Sequence, residues 1–252
     1  MPVDTETHDR VLVVTIRREE KRNAIDDELA EGISDALDRL DDDPELWVGI
    51  LTGTPTVFSA GSDLARTSGA GSAATERGGE YGVIRRDRVK PLIAAVEGPA
   101  LGGGFEIVLA CDLVVASRTA SFGLPEVKRG LVPTCGGLFR SSRALPLNVA
   151  REMLLTGDRL DPERAYALGL VNVLAEPGAA VEAALALANR ICMVGPVGAR
   201  ASLRALEQTV AERDALGWSA TEMATDTIRQ SDDMREGVLA FFEKREQRWT
   251  GR

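Results

Sequence analysis

Short apolar, β-branched runs alternate with helical stretches through the first half of the chain, and this alternation most constrains the fold. Helices are predicted at 24–40, from an apolar spacing of helical period, and at 101–110. From about Asn148 the pattern is wholly helical, with a helix start at Asp161 and a charged amphipathic tail. Strands are predicted at 10–17, 47–52, 91–96 and 113–116. Strands that alternate with helices favour an α/β layer fold with parallel pairing.

The composition excludes several classes of protein. Of 252 residues, 39 are Asp or Glu and 30 are Lys or Arg, which gives a net charge of −9. This charge argues against a nucleic-acid binder or a protein of anionic membrane surfaces, because a binder of polyanions normally presents a basic patch. No run of about 18 apolar residues occurs, so no membrane-spanning helix is predicted. The acidic N-terminus has no apolar signal region, and a cytoplasmic location with reduced thiols is expected.

Few residues could serve as metal ligands or activated nucleophiles. The cysteines Cys111, Cys135 and Cys192 are widely spaced, and His8 is the only histidine. Without a CxxC pair, a zinc site of the usual Cys/His kind is excluded and no metal is expected. His8 lies in a polar leader that is loose or starts a strand, so Ser-His-Asp and Cys-His systems lack their base. Any chemistry must then use carboxylates, backbone dipoles or a bound cofactor.

Residues 98–106, Gly-Pro-Ala-Leu-Gly-Gly-Gly-Phe-Glu, follow a predicted strand and open a helix. Glycines at a helix N-terminus expose unpaired N–H donors at the positive end of the dipole, which suits an anion or a developing oxyanion. Close packing of the helix on the sheet would explain the same glycines. A dinucleotide fingerprint is excluded because, after Gly102 and Gly104, Ile107 occupies the third glycine position, and no Gly-Lys-Ser/Thr phosphate loop follows.

Two further stretches could contribute to a site. Residues 58–64, Phe-Ser-Ala-Gly-Ser-Asp-Leu, form either a simple turn or a surface that a ligand approaches closely. Glu126 follows a rigid turn, where a lone glutamate could equally be solvated, whereas Glu106 has apolar neighbours in the first turn of its helix. Together, backbone donors from two loops could stabilise an enolate-like oxygen while two carboxylates share acid and base duties, without a metal or organic cofactor.

These segments resemble the crotonase, or enoyl-CoA hydratase, superfamily in their order and spacing. The resemblance spans roughly residues 10–248 and rests on the stretches 21–25, 58–64, 101–106, 122–126, 155–171 and 241–245. It implies an α/β fold, a crotonase-like spiral of ββα units with a C-terminal helical region. Residues 1–195 would form the core with the coenzyme A and catalytic site, and residues 196–252 a helical oligomerisation region. It also implies a homotrimer or dimer of trimers acting on an acyl-CoA, with coenzyme A as part of the substrate and no separate cofactor.

The resemblance implies a role for each matching residue. The backbone N–H groups of Ser62 and Gly103 match the two donors of the family's oxyanion hole. Glu106 matches the hydratase carboxylate that orients and deprotonates water, and Glu126 matches the one that delivers a proton to the α carbon. Having both favours a hydratase over dehalogenase, decarboxylase or hydrolase branches. Positions that resemble coenzyme A or substrate contacts are Lys21, Arg22, Ala24, Ala60, Asp63, Leu64, Thr134, Phe241 and Lys244. The last two resemble tail residues that reach the site of an adjacent subunit.

One departure leaves the substrate open. After Pro133 the family's hydratases often have Gly-Ala-Gly-Gly, whereas this chain has Thr134-Cys135-Gly136-Gly137. The Thr134 side chain would narrow the acyl pocket or suit a polar acyl group. Residues 130–137 and the tail near Trp249 also resemble the carnitinyl-CoA dehydratase branch. The expected activity is hydration of a 2-enoyl-CoA. A carnitinyl-CoA dehydratase, a Δ3,Δ2-enoyl-CoA isomerase and a non-catalytic CoA-binding protein are the alternatives.

Overall fold

A computed structural model describes residues 2–63 and 72–251, without the side chains of residues 211 and 212. Its strands are β1 (Val3–His8), β2 (Val11–Ile16), β3 (Val48–Thr52), β4 (Ala74–Thr75), β5 (Gly79–Glu80), β6 (Leu92–Val96), β7 (Pro99–Leu101), β8 (Leu113–Ser117), β9 (Ser121–Gly123), β10 (Arg159–Leu160) and β11 (Val173–Ala175). Its helices are α1 (Asp27–Asp42), α2 (Gly103–Ala110), α3 (Gly137–Ala144), α4 (Leu147–Thr156), α5 (Pro162–Ala167), α6 (Ala180–Cys192), α7 (Pro196–Arg229) and α8 (Asp232–Glu243). Short 3₁₀ helices cover Glu19–Lys21 and Pro125–Arg129.

The centre of the fold is a six-stranded sheet in the order β1-β2-β3-β6-β8-β11. β1 pairs with β2 in an antiparallel hairpin, and every other neighbouring pair in this sheet is parallel. All residues of β3 and β6 are buried, because α6 covers one face and the cluster that includes α1 covers the other. Burial on both faces explains why these strands read as continuous apolar runs rather than alternating ones.

A second sheet has the strand order β10-β9-β7. Because β7 follows β6 and β9 follows β8 in the chain, the chain passes repeatedly from the central sheet to the second sheet and so forms a spiral. One turn runs from β6 in the central sheet through β7 in the second sheet to α2. The next runs from β8 through β9 to the 3₁₀ helix Pro125–Arg129. β7 and β9 are parallel neighbours, so the segments that follow them begin at the same edge of the second sheet. This arrangement confirms the α/β spiral of ββα units with a C-terminal helical region, here α7 and α8.

Most predicted elements are confirmed, with small changes of boundary. His8 ends β1, so the N-terminal leader is a strand. α1 begins only at Asp27, because the Asp26 side chain caps it by accepting a hydrogen bond from the Leu29 N–H. Asp161 caps α5 in the same way, as predicted.

The wholly helical pattern predicted after Asn148 is wrong at two places. β10 pairs with β9, and β11 pairs with β8. Both are short strands, of two and three residues, that lie at sheet edges. Their partners lie far away in sequence, so local periodicity carries little sign of them.

Within the described parts of the chain, no single helix is long and apolar enough to cross a membrane. The pair formed by α6 and the beginning of α7 reaches that length and apolarity only when its helices are taken together, and the pair is bent by 105°.

Candidate active site

Helix α2 begins at Gly103, whose N–H is therefore without a carbonyl partner inside the helix. Gly102, just before it, has a φ of 57°, in the left-handed region that glycine adopts without a side-chain clash. A Cβ on Gly103 would lie 2.3 Å from the Tyr81 hydroxyl oxygen, and one on Gly104 would lie 2.2 Å from the Ser59 carbonyl oxygen. The glycine run thus allows close packing and also leaves an N–H donor at the positive end of the helix.

Ser62 lies in a segment that packs against the start of α2. Gly61 accepts a hydrogen bond from the Ile25 N–H at 2.8 Å, and the Asp63 N–H donates to the Ile25 carbonyl at 3.0 Å. In such a parallel bridge the intervening Ser62 N–H is directed away from Ile25. A Cβ on Gly61 would come within 2.6 Å of the Gly103 nitrogen. The two segments predicted to supply oxyanion donors are therefore direct neighbours.

Glu106 is buried in the first turn of α2, with 2% of its surface exposed. Its Oε1 atom accepts hydrogen bonds from the backbone N–H groups of Cys135 at 2.7 Å and Gly137 at 2.8 Å. Burial raises the pKa of Glu106 to about 7, and this effect outweighs the two N–H donors and the Arg140 guanidinium, which lower it. A carboxyl group with this pKa can gain or lose a proton near neutral pH.

Glu126 lies in the 3₁₀ helix Pro125–Arg129, one turn of the spiral after Glu106. Its Oε1 atom is 3.1 Å from the point where a Cβ on Gly102 would stand. Its Oε2 atom is buried and has no hydrogen-bond partner in the described part of the chain. Burial, followed by the nearby charge of Glu106, raises the pKa of Glu126 to about 8. The structure therefore brings the two predicted carboxyl groups within electrostatic reach of each other, beside the start of α2.

Five of the residues predicted to contact coenzyme A form one strip along two neighbouring segments. They are Lys21, Arg22, Ala24, Ala60 and Asp63. The Ala60 N–H donates to the Arg22 carbonyl at 3.0 Å, and Lys21, Arg22 and Ala60 are exposed. Arg18 joins both segments, since its guanidinium donates to the Ala24 carbonyl at 2.8 Å and to the Asp63 carboxylate at 2.9 Å. Leu64 lies outside the described residues.

Thr134 is partly buried and stands at the turn that holds Glu106. Its hydroxyl group lies 3.7 Å from the Cys135 sulfur. The next N–H along the chain, that of Cys135, is one of the two that bind Glu106. The residue predicted to shape the acyl pocket is therefore the immediate chain neighbour of a residue that binds Glu106.

Phe241 and Lys244 lie at the end of α8, away from the strip in sequence. The Phe241 ring is 42% exposed and stacks on the Arg129 guanidinium, whose carbon is 4.8 Å from the ring centre. Lys244 ends the helix in the left-handed conformation. α8 packs closely on the Glu126 helix, because a Cβ on Gly237 would lie 2.2 Å from the Arg129 carbonyl oxygen. Within one chain, Phe241 is therefore next to the Glu126 segment.

Sequence reasoning missed three kinds of contact in the site. The Cys135 and Gly137 N–H groups that hold Glu106 lie 29 and 31 residues from it. Arg18 and Tyr81 were not predicted, because neither residue belongs to a periodic pattern or a motif in the sequence. Among residues 2–63 and 72–251, no three His, Cys, Asp or Glu side chains converge in a way that could hold a metal ion.

Comparisons with known proteins identify the family to which the chain is similar. Residues 6–252 match the family model described as enoyl-CoA hydratase/isomerase. The chain is 36% identical over 247 residues to enoyl-CoA hydratase EchA19 of Mycobacterium tuberculosis, an alignment that covers 95% of this chain and 93% of that protein. It is 39% identical over 254 residues to carnitinyl-CoA dehydratase of Citrobacter koseri, covering 97% of each chain.

A solved structure extends the likeness to the whole fold. The crystal structure of carnitinyl-CoA hydratase from Mycobacterium avium superposes with a TM-score of 0.93 at 40% sequence identity, covering 100% of this chain and 99% of that one. Since the family match and the structural likeness both span nearly every residue, the chain belongs to the enoyl-CoA hydratase/isomerase family.

Proposed function

We propose that this protein is an enoyl-CoA hydratase, a hydro-lyase that reversibly adds water across the 2,3 double bond of a 2-enoyl-CoA thioester. The observation that carries the proposal is the pair of buried carboxyl groups, Glu106 and Glu126, whose pKa values are raised beside the N-terminus of α2. Two interacting carboxyl groups with raised pKa values can share one proton near neutral pH, which suits paired acid and base roles.

In the proposed reaction the thioester oxygen lies between the N–H groups of Ser62 and Gly103. These donors stabilise the negative charge that develops on the oxygen when the α carbon becomes enolate-like, and the α2 dipole adds to their effect. No metal or organic cofactor is needed, since coenzyme A is part of the substrate.

The two glutamates complete the proton balance. Glu106, fixed through Oε1 by Cys135 and Gly137, orients a water molecule and takes its proton while the water oxygen bonds to the β carbon. Glu126 gives its proton to the α carbon. The pair then holds the same number of protons as before, one having moved from water to Glu106 and one from Glu126 to product.

The strip formed by Lys21, Arg22, Ala24, Ala60 and Asp63 supplies the coenzyme A site in this proposal. Lys21 and Arg22 would lie near the phosphates, while Ala24, Ala60, Asp63 and Leu64 would cradle the adenine and pantetheine, largely through backbone atoms. A few local cations suffice for an anionic ligand although the whole chain carries −9, because electrostatic attraction depends on distance.

We also propose a cytoplasmic homotrimer, or a dimer of trimers, in which residues 196–252 form the oligomerisation region and residues 1–195 the core. Large apolar side chains are exposed along α7, which is typical of a surface that another subunit covers. They include Val197 at 79%, Leu206 at 61%, Leu216 at 73% and Met223 at 71% exposure. In such an assembly Phe241 and Lys244 would reach the coenzyme A site of the adjacent subunit. A role in fatty acid metabolism, including β-oxidation, belongs to the same proposal.

A crotonyl-CoA hydration assay tests the proposed function by loss of enoyl absorbance. Glu106→Gln and Glu126→Gln should each lower kcat by about 10²-fold or more, the usual contribution of a positioned acid or base. Glu31→Gln, an exposed glutamate on α1, is the matched control and should keep the wild-type rate. Wild-type rates in both site variants would show that these carboxyl groups do not have the proposed roles.

A dehydratase of a polar β-hydroxyacyl-CoA, such as carnitinyl-CoA, is the second candidate. The Thr134 hydroxyl beside the Glu106 turn favours it, because that side chain could pair with a polar acyl group. Product analysis on crotonyl-CoA, carnitinyl-CoA and a 3-enoyl-CoA would separate hydratase, dehydratase and Δ3,Δ2-enoyl-CoA isomerase. A non-catalytic CoA-binding protein would bind coenzyme A and turn over none of them.

A further inference from the structure

The Tyr81 side chain stands between the two segments that carry the proposed oxyanion donors. Its hydroxyl group lies 2.7 Å from the Ser62 hydroxyl oxygen, a hydrogen bond in which either group could be the donor. The same hydroxyl oxygen and the adjoining ring carbon would lie 2.3 Å and 2.6 Å from a Cβ on Gly103. Tyr81 therefore touches Gly103 with its ring and binds Ser62 with its hydroxyl.

Tyr81 is held firmly in this position. Only 2% of its surface is exposed, and its N–H donates to the Ala73 carbonyl at 2.7 Å. Its backbone φ is 57°, a left-handed conformation that is costly for a bulky residue and persists only where the surroundings enforce it. Burial, with the nearby Cys135 and Glu106, also raises the pKa of Tyr81, so the phenol stays protonated and able to donate.

A chain of polar contacts continues from Tyr81 to the Glu106 turn. The Tyr81 hydroxyl lies 3.2 Å from the Ser72 hydroxyl, which lies 3.3 Å from the buried Cys135 sulfur. The Cys135 N–H in turn donates to Glu106 at 2.7 Å. Since every side chain in this path is buried or partly buried, the path ties the Ser62 segment to the carboxyl group across the site.

We propose that Tyr81 is a positioning residue of the oxyanion hole, which fixes the Ser62 N–H relative to the Gly103 N–H through the Ser62 side chain. This inference rests on the proposed use of those two donors. Donors that are held in place before the reaction stabilise a developing charge better than donors that must reorient. Tyr81 itself need not touch the substrate.

The test compares Tyr81→Phe with Tyr166→Phe, which alters the chain's only other tyrosine, a half-exposed residue on α5. The first readout is the carbonyl stretching frequency of ¹³C-labelled butyryl-CoA bound to each protein, measured by infrared difference spectroscopy. Butyryl-CoA has no double bond to hydrate, so this readout is independent of turnover. The wild type and Tyr166→Phe should lower the frequency relative to free butyryl-CoA, and Tyr81→Phe should lower it less.

The second readout is crotonyl-CoA hydration. Tyr81→Phe should reduce kcat by about 10-fold and leave KM nearly unchanged, because a misplaced donor is felt mainly in the transition state. Ser62→Ala keeps its backbone N–H and should lose a similar factor. The double variant should lose no more than either single one, because both changes break the same hydrogen bond.

The outcomes separate this inference from the proposed function. A wild type that shifts the carbonyl band yet hydrates no enoyl-CoA overturns the function, while a weaker shift in Tyr81→Phe still supports the inference. An unchanged band in Tyr81→Phe, or independent and multiplying losses in the double variant, overturns the inference even when hydration is fast. Absence of any shift in the wild type overturns the oxyanion hole and the role of Tyr81 with it.

Discussion

The glutamates of the site and those of the C-terminal helices meet opposite surroundings. Glu106 is buried in the spiral and Glu126 is partly buried, with its Oε2 atom inaccessible. In the described part of the chain no lysine or arginine side chain donates a hydrogen bond to either. Glu236 on α8 accepts from both terminal nitrogens of Arg245, at 2.6 and 2.9 Å, and from the Arg248 N–H at 2.7 Å. The Arg245 bonds, followed by the Arg248 N–H, lower the pKa of Glu236 to about 2.

This difference shows two uses of the same side chain. Near neutral pH the raised pKa values keep Glu106 and Glu126 close to the point where a proton is gained or lost, at the expense of stability whenever both ionise. The Glu236 carboxylate stays ionised and ties residues 245–248 back onto α8. The raised pKa values in the site suit the proposed proton exchange, whereas the lowered pKa of Glu236 suits a fixed charge in the tail.

Alanine substitution of a glycine at the start of α2 should have the largest effect on activity, whereas the same substitution at the start of α7 should have none. Gly103→Ala places a Cβ 2.3 Å from the Tyr81 oxygen and should lower kcat by about 10²-fold or more, since the proposed oxyanion donor shifts with it. Gly198→Ala, in the first turn of α7, meets nothing within 4 Å and should leave activity unchanged. Hydration kinetics give the rates, and far-ultraviolet circular dichroism shows that both variants fold. Equal activity of the two folded variants would contradict the special role of the α2 terminus.

The pH dependence of kcat/KM should depend on the Glu106 and Glu126 pair but not on Glu236, which is the next largest expected difference. One proton shared by Glu106 and Glu126 predicts a bell-shaped profile with limbs near 7 and 8, values that belong to the pair. Beyond either limb the rate should fall about tenfold per pH unit. Glu236→Gln should leave the shape unchanged, because the pKa of Glu236 lies far below both limbs. A flat profile from pH 6 to about 9 would rule out the shared proton.

Replacing Glu126 should lower activity but raise the free energy of unfolding at alkaline pH. The folded pKa of Glu126 is raised from 4.5 to about 8, so its contribution to the free energy of unfolding falls as pH rises through that interval. Glu126→Gln should therefore be more stable than the wild type at pH near 8.5, on the order of 4 to 5 kcal/mol because one pKa unit corresponds to about 1.4 kcal/mol, and nearly equal at pH near 5. Urea unfolding at fixed protein concentration measures both values. A variant that is less stable at high pH would contradict the uncompensated burial of this carboxyl group.

How much the sequence predicts differs between these regions for physical reasons. β3 and β6 were predicted because burial on both faces makes them continuous apolar runs, and α2 because its glycines and Glu106 lie within one short segment. β10 and β11 were missed, since their identity as strands depends on distant partners.

The same limit applies inside the site. The positions of Glu106, Glu126, Gly103 and Ser62 were predicted from spacing and resemblance, although their catalytic roles stay predictions. The support around them was not predicted. The backbone donors to Glu106 lie about thirty residues away, and the contacts of Tyr81 join three separate segments of the chain. Hydrogen bonds between distant backbone groups leave no periodic or compositional pattern, so only the folded chain reveals them.

The smallest effect is expected for the stability of a Glu236 variant in the tail. The direction in which this effect changes with pH is its most informative property. Because the folded pKa of Glu236 is lowered, its contribution to stability is present above pH 4.5 and is lost as pH falls toward about 2. Glu236→Gln should therefore melt slightly below the wild type at pH 7, with the gap closing on acidification, whereas Glu126→Gln gains its advantage on alkalinisation. The Glu236 and Arg245 side chains lie near solvent, which weakens their ion pair, so the change in melting temperature should be small. Glu31→Gln again serves as the control in thermal melts at a series of pH values. A gap that widened on acidification would mean that Arg245 does not hold this carboxylate in its ionised form, and the contrast between site and tail would lose its physical basis.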